Sequence, residues 1–251
     1  LVLRRQRQMC IRDRALSPNG QYVLVQVRGE LAKICNIETN QTTSLQVRVK
    51  CAAFSADGRK LAMALYDSHS ARVHDLDAGS YQDLTAEGIG IMTALAFSSD
   101  STKLVTGSND GKVRVWSIET GACLKIFEHT PHAEVVSVAY SPDGTKVASG
   151  GDLYNKRLCI WDIETGNVIS RHVPAGYHGV YSMAFSPDSS ILATSSVGVQ
   201  VWDVASGTQR GWTLGNCEQA TVSFSEDGMT IWGLGLDLSL IHISEPTRLS
   251  A

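Results

Sequence analysis

His129 and His132, in the stretch His129-Thr130-Pro131-His132, are the densest pairing of groups in this chain that could hold a metal or carry a proton. A tetrahedral metal site needs a third and fourth ligand close by, and none flanks these imidazoles, so no metal is expected. Five cysteines, Cys35, Cys51, Cys123, Cys159 and Cys217, are scattered through the body of the chain with no C-x-x-C pair. They suggest neither a zinc site nor a disulfide framework, and they fit a reducing intracellular compartment, cytoplasmic or nuclear. The glycine-rich pieces "GIGI" and "GLGL" lack the spacing and the following helix of a phosphate-binding loop, so no nucleotide cofactor is expected. No nucleophile stands beside a base in any recognisable pattern. The reading is no catalytic residue, no cofactor and no enzyme.

The arginine-rich start, "RRQRQMCIRD", would ordinarily suggest a targeting peptide or a nucleic-acid-binding arm. Met9 to Asp13, however, can be written ATG TGT ATA AGA GAC, and Arg14 permits a following AG. The reverse complement, CTGTCTCTTATACACAT, reads Leu-Ser-Leu-Ile-His and then AT, matching Leu238 to Ile243 near the other end. Both ends resemble translated transposon-end sequencing adapters. Residues 1–14 and 238–251 are therefore expected to be non-native, to pack little and to form no blade structure. Leaving them out takes five Arg and one Asp from the start and one Arg and one Glu from the end, and the net charge moves from −3 to −7. An acidic body with no basic cluster argues against nucleic acid as partner. No apolar run approaches a membrane-spanning length, which leaves no membrane partner either.

The organising elements are repeats. A turn opening on Ser recurs as Ser17-Pro18-Asn19-Gly20, Ser55-Ala56-Asp57-Gly58, Ser98-Ser99-Asp100-Ser101, Ser141-Pro142-Asp143-Gly144, Ser186-Pro187-Asp188-Ser189 and Ser225-Glu226-Asp227-Gly228. In such a turn Pro presets φ, Asp bonds the local backbone, and Gly accommodates the exit. Apolar, β-branched runs flank each one, and a second strand-like element follows in register, as in "VRVWSIETG", "LCIWDIETG" and "VQVWDVASG". Four short strands per unit of about forty residues is the pattern of a propeller blade.

Trp161-Asp162, Trp202-Asp203 and Trp116, each preceded by its Ser-x-Asp turn, resemble the WD-repeat β-propeller family. The resemblance implies an all-β fold of about five and a half four-stranded blades from a domain of seven or more. Its boundaries are 15–46, 47–86, 87–130, 131–174 and 175–216, with a partial sixth blade at 217–237 that stops after its second strand. Trp116, Trp161 and Trp202 are expected to pack between blades. Cys35 and His74 stand in the same slot, His74 as a partly buried, hydrogen-bonded ring. Asp110 sits in the tight turn before Trp116, and Asn155 takes that place in the next unit, while the family's Gly-His dipeptide is missing between blades.

The resemblance also implies scaffold work: a rigid disc that grips a peptide or protein partner on its top face. Mapped residue by residue, the top-face positions are Arg48, Lys50, Thr93, Asn109, Glu134, Tyr154 and Tyr181, with Ile91, Val136 and Gly179 alongside. Tyr and Arg are residue types that dominate binding hot spots. The alternative is a sensor or substrate-receptor propeller within a larger enzyme-containing protein, such as an NTPase or a ubiquitin-ligase assembly.

Overall fold

The computed structural model describes residues 11–27, 30–131, 133–172, 179–196, 198–214, 221–234 and 240–244. Every regular element among them is a β-strand, arranged as five four-stranded antiparallel sheets and one of three strands. Blade 1 is built from Ile11–Leu16, Tyr22–Val27, Lys33–Asn36 and Thr42–Ser44, and blade 2 from Val49–Phe54, Lys60–Leu65, Ala71–Asp75 and Tyr81–Leu84. Blade 3 takes Met92–Phe97, Lys103–Ser108, Lys112–Ser117 and Cys123–Glu128, and blade 4 Val135–Tyr140, Lys146–Gly151, Leu158–Asp162 and Val168–His172. Blade 5 follows with Ser182–Phe185, Ile191–Ser195, Val199–Asp203 and Gln209–Leu214; blade 6 has Thr221–Phe224, Thr230–Leu234 and Leu240–Ser244. The first strands of successive blades are neighbours, so they line the inside of the array while each fourth strand lies at the rim.

The six Ser turns are the local reason for this meander. Each Ser hydroxyl donates to the carboxylate or amide oxygen two residues on, at 2.5 Å in four turns, 2.6 Å to Asp143 and 2.7 Å to Asn19. The same hydroxyl accepts the backbone N–H five residues on, at 2.8 to 3.0 Å, which starts the second strand. The exit residue has φ between 58° and 72° in all six turns, including Ser101 and Ser189, where no glycine is present. Asp100 is held down to about 2, first by the Ser98 hydroxyl and then by the Thr102 N–H.

The core lies between blades. Alternation along the central strands buries one set of side chains against the preceding blade and the other against the next, and the five buried clusters each join residues of two neighbouring blades. Trp116, Trp161 and Trp202 are 0, 3 and 3 % exposed in these seams. Each occupies the same register position, opposite Leu104, Val147 and Leu192. Cys35 and His74 fill that position in blades 1 and 2, opposite Val23 and Leu61. His74 is half-buried, its Nδ1 3.1 Å from the Asp75 carbonyl oxygen.

The ends differ from expectation. Ile11–Leu16 pairs with Tyr22–Val27 as the first strand of blade 1, and Leu240–Ser244 pairs with Thr230–Leu234 as a third strand of blade 6. Segments expected to stay outside the blades are thus hydrogen-bonded into them. The physical reason is that a strand edge offers backbone N–H and C=O groups to any extended neighbour, whatever its side chains. Residues 1–10 and 245–251, and with them the rest of both end segments, lie outside the described residues.

Candidate interaction face

The antiparallel meander sorts loops by end. Ser turns and the turns between third and fourth strands lie at one end of the blades, while the blade-to-blade linkers and the turns between second and third strands lie at the other. Arg48, Lys50, Thr93, Glu134 and Tyr181 sit where first strands begin, and Asn109 and Tyr154 in second-to-third-strand turns, so the topology brings all seven to the linker end. Asp162 and Asp203 lie at the opposite end as turn anchors. Asp162 accepts the Thr165 N–H at 2.8 Å, and Asp203 the Ser206 N–H at 2.9 Å.

The seven differ in how free they are. Lys50 Nζ of blade 2 reaches Glu134 Oε1 of blade 4 at 3.2 Å, both side chains about a third exposed, passing over blade 3. Arg48 pairs with Asp67 through two hydrogen bonds, one of them Nε to Oδ2 at 2.9 Å, and lies 5.5 Å over the Tyr66 ring. Tyr181 is half-buried, and Tyr154 is 87 % exposed. Asn109 spends its Oδ1 on the Ile91 N–H at 2.8 Å. Thr93 is 9 % exposed, and its hydroxyl donates to the Val135 carbonyl of the next blade, with the Gly107 carbonyl 3.2 Å away. The geometry of Thr93 and Asn109 is that of joints: their polar atoms hold the strands that present the others.

Further joints recur around the array. Gln26 exchanges two hydrogen bonds with the backbone of Val49, at 2.8 and 3.1 Å, and Ser137 donates to the Val180 carbonyl. Val222 N–H donates to Ser182 at 3.1 Å. Gly179 is required by close approach, since a Cβ there would stand 2.6 to 2.8 Å from backbone atoms of Gly151 and Asp152.

Asp110 anchors its tight turn as expected. It accepts from the Lys112 N–H at 3.0 Å, the Gly90 N–H at 3.2 Å and Arg114 Nη2 at 2.8 Å, and also from the Ser108 hydroxyl. Burial pushes its pKa up, but Arg114, Ser108 and the two N–H groups outweigh that and bring it down to about 2.

His129 is deeply buried for a linker residue. It lies in the linker after the fourth strand of blade 3, 1 % exposed, with Nδ1 2.9 Å from Ser149 Oγ. The same Ser149 oxygen accepts the Trp161 indole N–H at 2.9 Å. Trp116 and Trp202 use Thr106 and Thr194 in the same way, each at 2.9 Å, and among the described residues no histidine joins either pair. The histidine escaped sequence reading because Glu128, not Gly, precedes it; the usable signal was its place after the fourth strand of blade 3, one blade ahead of Trp161. Burial, then the charges of Arg157 and Arg171, lower its pKa to about 4, so the ring is neutral. Asn155 stands where Asp110 stands in blade 3. Its Nδ2 and His129 Nε2 lie 2.5 and 3.1 Å from the point a Cβ on Gly151 would occupy. Both atoms are buried without a hydrogen-bond partner. His132 and Cys217 lie outside the described residues, and Cys35, Cys123 and Cys159 are free thiols.

This blade geometry, with its indole-hydroxyl pairs and Ser-x-Asp turns, is that of a β-propeller, and WD repeats are found within it. Three stretches, 82–117, 121–162 and 168–198, match the WD40 family model, described as WD domain, G-beta repeat. The first two matches run from the fourth strand of one blade through the third strand of the next, and the third begins likewise, so the sequence repeat straddles the blade seams. Among similar proteins, eukaryotic translation initiation factor 3 subunit I of Emericella nidulans is 33 % identical over 100 residues, 40 % of this chain and 23 % of that protein. WD repeat, SAM and U-box domain-containing protein 1 of Danio rerio is 28 % identical over 123 residues, 47 % of this chain and 23 % of that one. U3 small nucleolar RNA-associated protein 18 homolog of Homo sapiens is 36 % identical over 76 residues, 28 % of this chain and 14 % of that one. The matched stretch thus spans under a quarter of each relative's length.

Proposed function

We propose that this protein is a non-catalytic interaction scaffold that holds a protein or peptide partner at the linker end of its blades. The observation that carries this reading is the Lys50–Glu134 ion pair, which joins blade 2 to blade 4 across blade 3. It means that the first-strand ends converge, so Arg48, Lys50, Glu134 and Tyr181 act as one small polar and aromatic surface on a rigid frame. Similarity to a protein named as a subunit of a translation initiation factor supports a role inside an assembly. The acidic net charge of −3 over the whole chain favours protein over nucleic acid as partner, and the free cysteines favour an intracellular setting.

A second reading is favoured by the relative whose name combines WD repeats with SAM and U-box domains: the array would be the partner-binding module of a larger multidomain protein. A photo-crosslinking amino acid at position 48 or 181, and in a control at Thr165 at the opposite end, tests the common element of both. Crosslinks to one shared protein from 48 and 181 but not from 165 are expected. Crosslinks from 165 alone, or turnover of a substrate that is lost on mutating the linker end, would refute the scaffold reading.

A further inference from the structure

The second-to-third-strand turn of blade 4 is built to hold something. Asp152 Oδ1 accepts the backbone N–H groups of Tyr154 at 3.1 Å and Asn155 at 3.0 Å, and Lys156 N–H donates to the Asp152 carbonyl at 2.7 Å. The turn is fixed by its own hydrogen bonds, yet it carries Tyr154 87 % exposed. Below that ring, Thr130, Ala133, Asp152, Asn155 and Arg157 line an open cavity of about 430 Å³.

Two independent features set the chemistry of this cavity. Arg48, Arg59, Arg72, Arg114 and Arg210 each face an aspartate. Arg157 has no carboxylate partner among the described residues, and its guanidinium makes one long hydrogen bond, 3.4 Å, to the Thr130 hydroxyl. Next to it are the unpartnered Asn155 Nδ2 and the fully buried His129 with its unpartnered Nε2. A half-buried guanidinium with spare N–H groups lining an open cavity asks for an acceptor that carries negative charge. The one acid in the lining, Asp152, already spends an oxygen on the two turn N–H groups.

We propose that this cavity docks an acidic segment of a protein partner, with an aspartate or glutamate carboxylate against Arg157 and a neighbouring apolar side chain over Tyr154. The proposal rests on the linker end being the partner-binding face and narrows it to blade 4 and to acidic sequence. The planar guanidinium fork suits a carboxylate, and an exposed tyrosine on a rigid turn provides contact area at little entropic cost.

A random dodecapeptide library displayed on phage and selected on the full chain tests it, with labelled synthetic copies of the enriched peptides titrated by fluorescence anisotropy. Enriched peptides should carry Asp or Glu, bind more weakly as NaCl is raised, and lose about tenfold or more in affinity to Arg157→Glu and to Tyr154→Ala. Arg157→Lys should retain part of the binding, and the melting curves of these variants should match the parent. Enrichment of neutral or basic peptides, acidic peptides indifferent to Arg157→Glu, or no enrichment would overturn it. Peptides indifferent to Arg157→Glu but lost in Lys50→Glu or Tyr181→Ala would remove the acidic site and leave the face standing. Indifference to all of these variants would remove both.

Discussion

Replacing Ser149 with alanine should be among the costliest one-atom changes available in this protein. Ser149 is fully buried, and its oxygen is the single meeting point of the Trp161 indole N–H and His129 Nδ1, each at 2.9 Å. Ser149→Ala removes almost no volume, so the cavity cost is small, but it orphans two buried polar groups at once. Each orphaned group costs about 1–3 kcal/mol, so the sum is about 2–6 kcal/mol, centred near 4. Thr106→Val in blade 3 supplies the internal control: Thr106 is 1 % exposed and its hydroxyl serves the Trp116 indole alone, so about half the loss is expected there. Guanidinium denaturation followed by far-ultraviolet circular dichroism gives both values. A double-mutant cycle adds a second handle, since Trp161→Phe deletes the orphaned N–H and should return about 1 kcal/mol of the Ser149→Ala loss. A Ser149→Ala cost no larger than that of Thr106→Val would refute the shared-oxygen account.

Other consequences follow from the same blades. His129 is neutral in the fold with a pKa of about 4, against an ordinary value of 6.5. A depressed base contributes stability that is full above 6.5 and lost as pH falls through 4, about 3 kcal/mol in all; pH-dependent melts should show this step and His129→Gln should abolish it. Asn155→Asp places a carboxylate beside the ring, so the His129 titration seen by NMR should move up from about 4; an unchanged pKa would separate Asn155 from the ring. Asp100 and Asp143, both held at about 2, should contribute a second acid step below 3.8, with the part due to Asp100 removed by Asp100→Asn. Ser101, at φ 58°, should gain about 0.5–1 kcal/mol on replacement by glycine in thermal melts. Ser189, at φ 61°, should gain less, because its hydroxyl accepts the Asp143 N–H of the neighbouring blade at 3.1 Å.

Much of the fold was legible without coordinates because its determinants are local. A Ser-x-Asp turn closes on its own side chains, strand runs alternate about their own axis, and the Trp slot recurs 16 to 20 residues after the Ser of each turn. So the strands and the six turns could be read from spacing, and the substitutes Cys35 and His74 from the resemblance to the WD-repeat pattern. Asp110 was readable for the same reason, since its turn partners lie two and four residues away at Lys112 and Arg114.

What the sequence could not provide depends on which atoms meet across blade seams. His129 and Ser149 are twenty residues apart, and only the packing of blade 3 on blade 4 sets them 2.9 Å from each other. Lys50 and Glu134, separated by 84 positions, became partners because the inner strands converge. Thr93 was read as a surface contact but is used as a joint, since the next blade sets Val135 over its hydroxyl. Arg157 gains its significance from having no carboxylate opposite it among the described residues, a property of its surroundings rather than of its residue type. The end strands Ile11–Leu16 and Leu240–Ser244 were decided by backbone pairing alone, which an unpaired sheet edge extends to whatever chain lies alongside. Local hydrogen bonding wrote the blades into the sequence, and blade-on-blade packing determined which residues became frame and which stayed free to bind.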